Sequence, residues 1–232
     1  MSPVCVVAGV GPGTGAALVR QFAGEGYQVA MLARTAERLE TLAGEIAGAH
    51  AFPVDMTDRD AVHAAFQKIR AELGPVDVLI VNGAAGAFNH FMEVKPETLE
   101  MTFRTNVMAL LHLGQEAVPD MLERGAGAII VTGNTSAWRG KANFAAFAPT
   151  KAAQRILAQS MARSLGPQGI HVAYVIIDAV IDLPWTRKAF ADRPDDFFIQ
   201  PAGIARTVSH LVAQERSAWT FELDLRPFGE SW

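Results

Sequence analysis

The segment Ala8-Gly9-Val10-Gly11-Pro12-Gly13-Thr14-Gly15 constrains this chain more than any other. It follows the apolar run Val4 to Ala8 and precedes a helix-like pattern from Ala16 to Ala23. A strand, a glycine-rich turn and a helix in that order build a phosphate site for a dinucleotide. Glycines let the backbone turn tightly and approach a pyrophosphate, and the helix N-terminus offers free N–H groups and partial positive charge. Taken alone, such a fingerprint also fits a tight turn that holds nothing. Its place at the head of a repeated strand–helix alternation favours the dinucleotide.

That alternation runs the length of the chain. Strand-like apolar runs lie at Val4–Ala8, Gln28–Ala33, Ala49–Val54, Val76–Val81, Ala128–Thr132, His171–Ile177 and Thr220–Leu225. Helical patterns fall between most of them, at 14–25, 35–47, 58–73, 96–122, 145–165 and 203–214. Near-continuous apolar strands separated by helices indicate a parallel sheet covered on both faces. The expected fold is one α/β domain over residues 1–232, a Rossmann-type doubly wound sheet of about seven strands with helices on both faces. Residues 182–200 break the rhythm with Pro184, Pro194, several charges and the aromatics Trp185, Phe190, Phe197 and Phe198. They read as a substrate lid, an interface segment or a packed connection. The tail from Leu225 to Trp232 ends on an aromatic, which either packs across an interface or frays.

Composition narrows the function classes. The formal net charge is −4 and no basic block stands out, so nucleic acid is not an expected partner. The single cysteine, Cys5, lies inside the first apolar run and reads as a packed thiol; a disulfide framework is excluded. No signal-type N-terminus and no apolar run of bilayer-spanning length is present, so a cytoplasmic protein without a membrane partner is expected. The histidines are scattered without metal-ligand spacing, so no metal is expected.

With these elements in order, the chain resembles the short-chain dehydrogenase/reductase family over nearly its whole length. Gly9, Gly13 and Gly15, with Thr14 at the helix start, match the family's glycine motif. Asp55, followed by Met56, stands after the third strand, where the family contacts adenine. Val81-Asn82-Gly83-Ala84 is similar to the family's Asn-Asn-Ala-Gly after the fourth strand. Asn106, in Thr105-Asn106-Val107, matches its catalytic asparagine, and Lys151, in Pro149-Thr150-Lys151-Ala152-Ala153, its catalytic lysine. The resemblance implies a nicotinamide cofactor, a small-molecule substrate, Asn106 and Lys151 holding a water and the nicotinamide ribose, and a homodimer or homotetramer. The apolar runs Val107 to Leu111 and Ile156 to Ala158 exceed what one sheet-facing stripe needs, in keeping with such an interface.

Cofactor choice follows from charge. The second strand ends Met31-Leu32-Ala33-Arg34. NAD-preferring folds of this kind place an acid here to accept from the ribose 2′-OH. Ala33 occupies that place, and the Arg34 guanidinium suits a 2′-phosphate. NADP is therefore expected over NAD; the competing reading pairs Arg34 with Glu37 or Glu40.

The chain also departs from the family. Four residues before Lys151, where the family has its proton-donating tyrosine, stands Phe147. The family's serine falls near Asn134, whose amide can donate to a carbonyl oxygen; Thr135 and Ser136 are neighbouring candidates. After the sixth strand the usual Pro-Gly is replaced by Ile177-Asp178. Asp178 at a strand's C-terminal end is a candidate acid or base, with a structural or capping role as the competing reading. Tyr174 reads as core, His90 as surface. The family's threonine near the carboxamide is replaced by Asp182, or served by Thr186.

General acid catalysis contributes on the order of 100- to 10,000-fold, so loss of the tyrosine weakens carbonyl reduction unless another donor acts. Two main readings result. One is an NADP-dependent oxidoreductase moving hydride between nicotinamide and a small carbonyl, alcohol or conjugated enone. The other is a non-catalytic NADP-binding sensor or subunit. A lyase or epimerase on the same fold is a third.

Overall fold

The computed structural model describes residues 2–229; Glu230 to Trp232, the end of the aromatic tail, lie outside the described residues. The elements in chain order are β1 (Val4–Ala8), α1 (Thr14–Gly24), β2 (Gln28–Ala33), α2 (Ala36–Glu45), β3 (Ala49–Pro53), α3 (Arg59–Glu72), β4 (Val76–Val81), α4 (Pro96–Phe103), α5 (Ala109–Arg124), β5 (Gly127–Asn134), α6 (Ala148–Leu165), β6 (Ile170–Ile177), β7 (Val180–Ile181), α7 (Pro184–Ala189), β8 (Phe198–Ile199), α8 (Pro201–Val212) and β9 (Glu222–Leu225). Seven strands form one sheet in the order β3-β2-β1-β4-β5-β6-β9, with every pairing parallel. This is the expected doubly wound sheet.

Successive side chains of a strand point to opposite faces, and both faces here are apolar. Val4, Val6 and Ala8 of β1 join Leu79, Val131, Phe66 and Leu113 in one core layer. Cys5 and Val7 join Val29, Ile80, Leu18, Phe22 and Val208 in the other. Burial pushes the Cys5 thiol well above its ordinary pKa, as a packed thiol requires.

Two regions differ from the expected pattern. The single helix read over 96–122 is two α-helices joined by a π-helical turn, Arg104–Met108. Residues 182–200, with the preceding β7, form a small unit of their own. β7 pairs with β8, and Arg187 forms a bidentate bond to Asp182 (2.7 and 2.8 Å), contacts Asp195 and lies 4.1 Å from the centre of the Phe198 ring.

The strand order reverses between β1 and β4, and just beyond these strands the Gly83 N–H still donates to the Ala8 carbonyl (3.1 Å). Gly9 adopts φ +91°, and a Cβ at this position would overlap the backbone of Gly83. A crevice at such a reversal, outside the carboxyl ends of the strands, is where open α/β sheets bind ligands.

Candidate active site

A cleft of about 770 Å³ opens at that reversal. Gly9, Val10 and Gly11 form one wall, Ala33, Arg34, Thr35 and Arg38 close one end, and Asp55, Met56, Asn82 and Gly83 line the floor. Of the residues expected to meet a dinucleotide, Gly9, Arg34, Asp55, Met56, Asn82 and Gly83 line this cleft at the ends of β1, β2, β3 and β4, whereas Gly13, Thr14, Gly15 and Lys151 are not part of its lining. Gly15 packs so tightly that a Cβ would lie 2.7 Å from the Val10 Cα. Gly83 is less confined: the Met56 methyl, the movable end of a side chain, lies 2.7 Å from where its Cβ would stand. Gly13 faces Leu183, so the 182–200 unit lies over the glycine loop.

Thr14 opens α1 and its hydroxyl is buried without a hydrogen-bond partner among the described residues. A buried hydroxyl at a helix N-terminus beside a glycine cradle fits a phosphate oxygen. At the far end, Arg34 forms no ion pair with Glu37 or Glu40 among the described residues, against the competing reading of its sequence context. Arg38, from the first turn of α2, joins Arg34 at the cleft, and no acid intervenes at Ala33. The Asp55 carboxylate accepts from the Thr57 N–H (2.9 Å) and hydroxyl (2.8 Å). These bonds hold its pKa below the usual carboxylate range, and the Arg34 charge acts in the same direction.

A continuous hydrogen-bond chain runs from the glycine loop to Lys151. Asn82 Nδ2 donates to the Gly9 carbonyl (2.9 Å), and Asn82 Oδ1 accepts from the Thr132 hydroxyl (3.1 Å). The Thr132 carbonyl accepts from Lys151 Nζ (3.3 Å). Lys151 also donates to Gln154 Oε1, and Gln154 Nε2 donates to the Asn106 carbonyl (2.6 Å). The link expected between Asn106 and Lys151 therefore runs through the Gln154 side chain. Lys151 is 1% exposed, and desolvation lowers its pKa to about 7.

Asn106 sits at the centre of the π-helical turn. Single π turns are rare and concentrate at functional positions. Its Oδ1 accepts from the Ala85 N–H (2.9 Å), while Nδ2 donates to the Ala85 carbonyl (3.0 Å) and the Thr150 hydroxyl (2.9 Å). The side chain is thus a brace between the β4 loop and α6.

Asn134 ends β5. Its Oδ1 accepts from the Ser136 N–H (3.0 Å) in a short turn, and its Nδ2 has no partner among the described residues. Thr135 and Ser136 are buried beside it. Phe147 precedes α6 with its ring in a trio, 5.8 Å from Phe88 and 6.1 Å from Phe144 between centroids. Asp178 departs from the acid–base expectation. Its N–H bonds the Leu225 carbonyl, its carboxylate lies 3.7 Å from the Arg226 guanidinium, and it does not line the cleft. A structural role, pairing with Arg226 at the end of β6, suits this geometry. Asp182 and Thr186 are likewise engaged within their own unit, by Arg187 and by the Leu183 and Ile181 backbone. Arg38, Thr132 and Gln154 were not singled out from the sequence. The signal for Thr132 is a polar residue inside an otherwise apolar strand, and for Gln154 its place three residues after Lys151 on the same helix face.

Comparison with known proteins identifies the family. A profile of the short chain dehydrogenase family matches residues 3–193. An L-xylulose reductase of Bos taurus is 30% identical over 225 residues, covering 93% of this chain and 91% of its own. A short-chain dehydrogenase from Rhodopseudomonas palustris superposes with a TM-score of 0.83 at 34% identity, covering 97% of this chain and 99% of that one. A metagenomic short-chain oxidoreductase solved in complex with NADP gives a TM-score of 0.85 at 26% identity, over 98% of both chains. Among the described residues no three of His, Cys, Asp and Glu converge as metal ligands, and no helix is long and apolar enough to cross a membrane. The chain belongs to the short-chain dehydrogenase family and is an oxidoreductase.

Proposed function

We propose that the protein is an NADP-dependent reductase or dehydrogenase acting on a small carbonyl, alcohol or conjugated enone. The observation that carries the cofactor choice is the pair of guanidinium groups, Arg34 and Arg38, at the end of the cleft, where Ala33 and not an acid closes β2. Two cations there suit a 2′-phosphate, and the missing acid removes the group that would bind a free 2′-OH. The orphaned Thr14 hydroxyl and the Gly9–Gly15 cradle suit the pyrophosphate. Asp55 and Met56 would hold the adenine, Asn82 and Gly83 would line the way to the nicotinamide ribose, and Lys151 would serve that ribose.

When bound, the nicotinamide supplies or accepts the hydride. The chain's part is positioning and polarisation. Asn134 Nδ2 is the free donor best suited to the substrate oxygen. Phe147 has no proton to give, so the proton comes from solvent or from the substrate. The exposed Phe88 beside Phe144 and Phe147 favours an apolar or aromatic substrate over the polyhydroxylated one for which L-xylulose reductase is named.

The outer faces of α5 and α6 leave Leu122 and Ile156 exposed, with a groove between them lined by Leu111, Val118 and Met161. This supports a homodimer or homotetramer. The whole chain acts as one domain, with 182–200 as a cover over the glycine loop.

Titration with NADPH and NADH, followed by turnover against aldehydes, ketones and enones, tests the function. Tighter NADPH binding with measurable oxidation of NADPH is expected. Binding of neither nucleotide overturns the cofactor assignment, and tight binding without turnover of any class overturns the catalytic one.

A further inference from the structure

Lys151 is held by a side chain rather than by solvent. Gln154 lies three residues further along α6, on the same helix face, and is fully buried. Its amide spans two groups of opposite demand. The Asn106 carbonyl can only accept, and receives the Nε2 hydrogen (2.6 Å); Lys151 Nζ donates to Oε1. No apolar residue could satisfy both. The π-helical turn presents the Asn106 carbonyl to this contact.

A second brace comes from β6. The Tyr174 hydroxyl donates to the same Gln154 Oε1 (3.2 Å) and lies 3.4 Å from the Lys151 carbonyl. Tyr174 is fully buried and reaches this point because Gly133 leaves its ring room. Gln154, Tyr174 and Gly133 thus form one packed unit around the amine. With Thr132 as the other acceptor, two of the three N–H bonds of Lys151 are fixed and the direction of the third is set.

We propose that Gln154 is the positioning residue for Lys151, its amide fixing the amine between the Asn106 carbonyl and the nicotinamide ribose, with the Tyr174 hydroxyl bracing it. This rests on the reading that Lys151 serves that ribose. It makes affinity for the nicotinamide half of the cofactor depend on a residue that touches no part of it.

The test is a double-mutant cycle read by binding heat with two ligands, NADPH and adenosine 2′,5′-bisphosphate, which lacks the nicotinamide half. Gln154→Met should weaken NADPH about tenfold and leave the bisphosphate unchanged. In a Lys151→Met background the same substitution should add nothing, because its effect passes through the amine. Unchanged NADPH affinity in Gln154→Met, or an equal loss in both backgrounds, overturns the proposal. Should Gln154→Met fail to fold, seen as loss of bisphosphate binding, Gln154→Asn takes its place. Being one methylene shorter, it cannot reach both partners, so NADPH alone must weaken; unchanged NADPH affinity overturns the proposal. Failure of the unmodified protein to bind NADPH is a separate result that removes the cofactor reading instead.

Discussion

Gly133 and Tyr174 occupy complementary space across adjacent strands: a Cβ on Gly133 would overlap the Tyr174 ring and hydroxyl. Gly133 has an ordinary backbone conformation, so its requirement is steric. Gly133→Ala should therefore cost roughly 1–3 kcal/mol, the usual effect of overpacking a core. Denaturant unfolding measures it. Pairing it with Tyr174→Leu should cost clearly less than the sum of the two single changes, since the smaller side chain frees the space. Strict additivity would show that the two residues do not share it.

Phe147 offers the second test. Its ring is 5% exposed, at the position from which a family tyrosine would act. Phe147→Tyr restores a donor four residues before Lys151. It should raise kcat for ketone reduction by roughly 100- to 10,000-fold if proton supply limits the rate. The NADPH dissociation constant should change little. An unchanged kcat would mean that the chemistry takes its proton by a route independent of this position.

Much of the architecture is readable from pattern, and the limits have physical causes. β1, β2 and β4 coincide with their apolar runs because strands buried on both faces are near-continuously apolar, with the polar Gln28 and Asp77 confined to the starts of β2 and β4. The π-helical turn is hidden because apolar residues continue through Val107 to Leu111, and its extra residue is set by contacts with Ala85 and Gln154, distant in sequence. The 182–200 unit is hidden too, since two-residue strands and the Asp182–Arg187–Asp195 ion pairs have no periodicity. Glycines and Lys151 stand out by motif, whereas Gln154 acquires meaning only when the fold places it against the Asn106 carbonyl.

Arg34 and Arg38 give a prediction about cofactor choice. Both are exposed at the end of the cleft, beside Asp55. Arg34→Ala should weaken NADPH about tenfold or more, and NADH by less than about twofold, because only NADPH carries the 2′-phosphate. Arg38→Ala should act in the same direction. The difference between wild type and variant should shrink as salt is raised, since exposed charges are screened. Equal losses for both nucleotides would remove the phosphate role.

Lys151 carries a pH prediction. Burial lowers its pKa from 10.5 to about 7 in the folded chain, while the unfolded chain keeps the ordinary value. Between pH 7 and 10.5 the unfolded state therefore binds more protons, and stability contributed by this group rises with pH across that window. Below pH 7 both states are protonated and the cost of burying the charge is fully present. Lys151→Met removes the titration and leaves the side-chain volume similar. The stability of wild type relative to Lys151→Met, measured on the apo protein by urea unfolding, should accordingly be lowest near pH 6 and climb toward pH 10. A difference independent of pH would mean that the amine keeps its ordinary pKa, and that the Gln154 and Thr132 oxygens offset the cost of burying its charge.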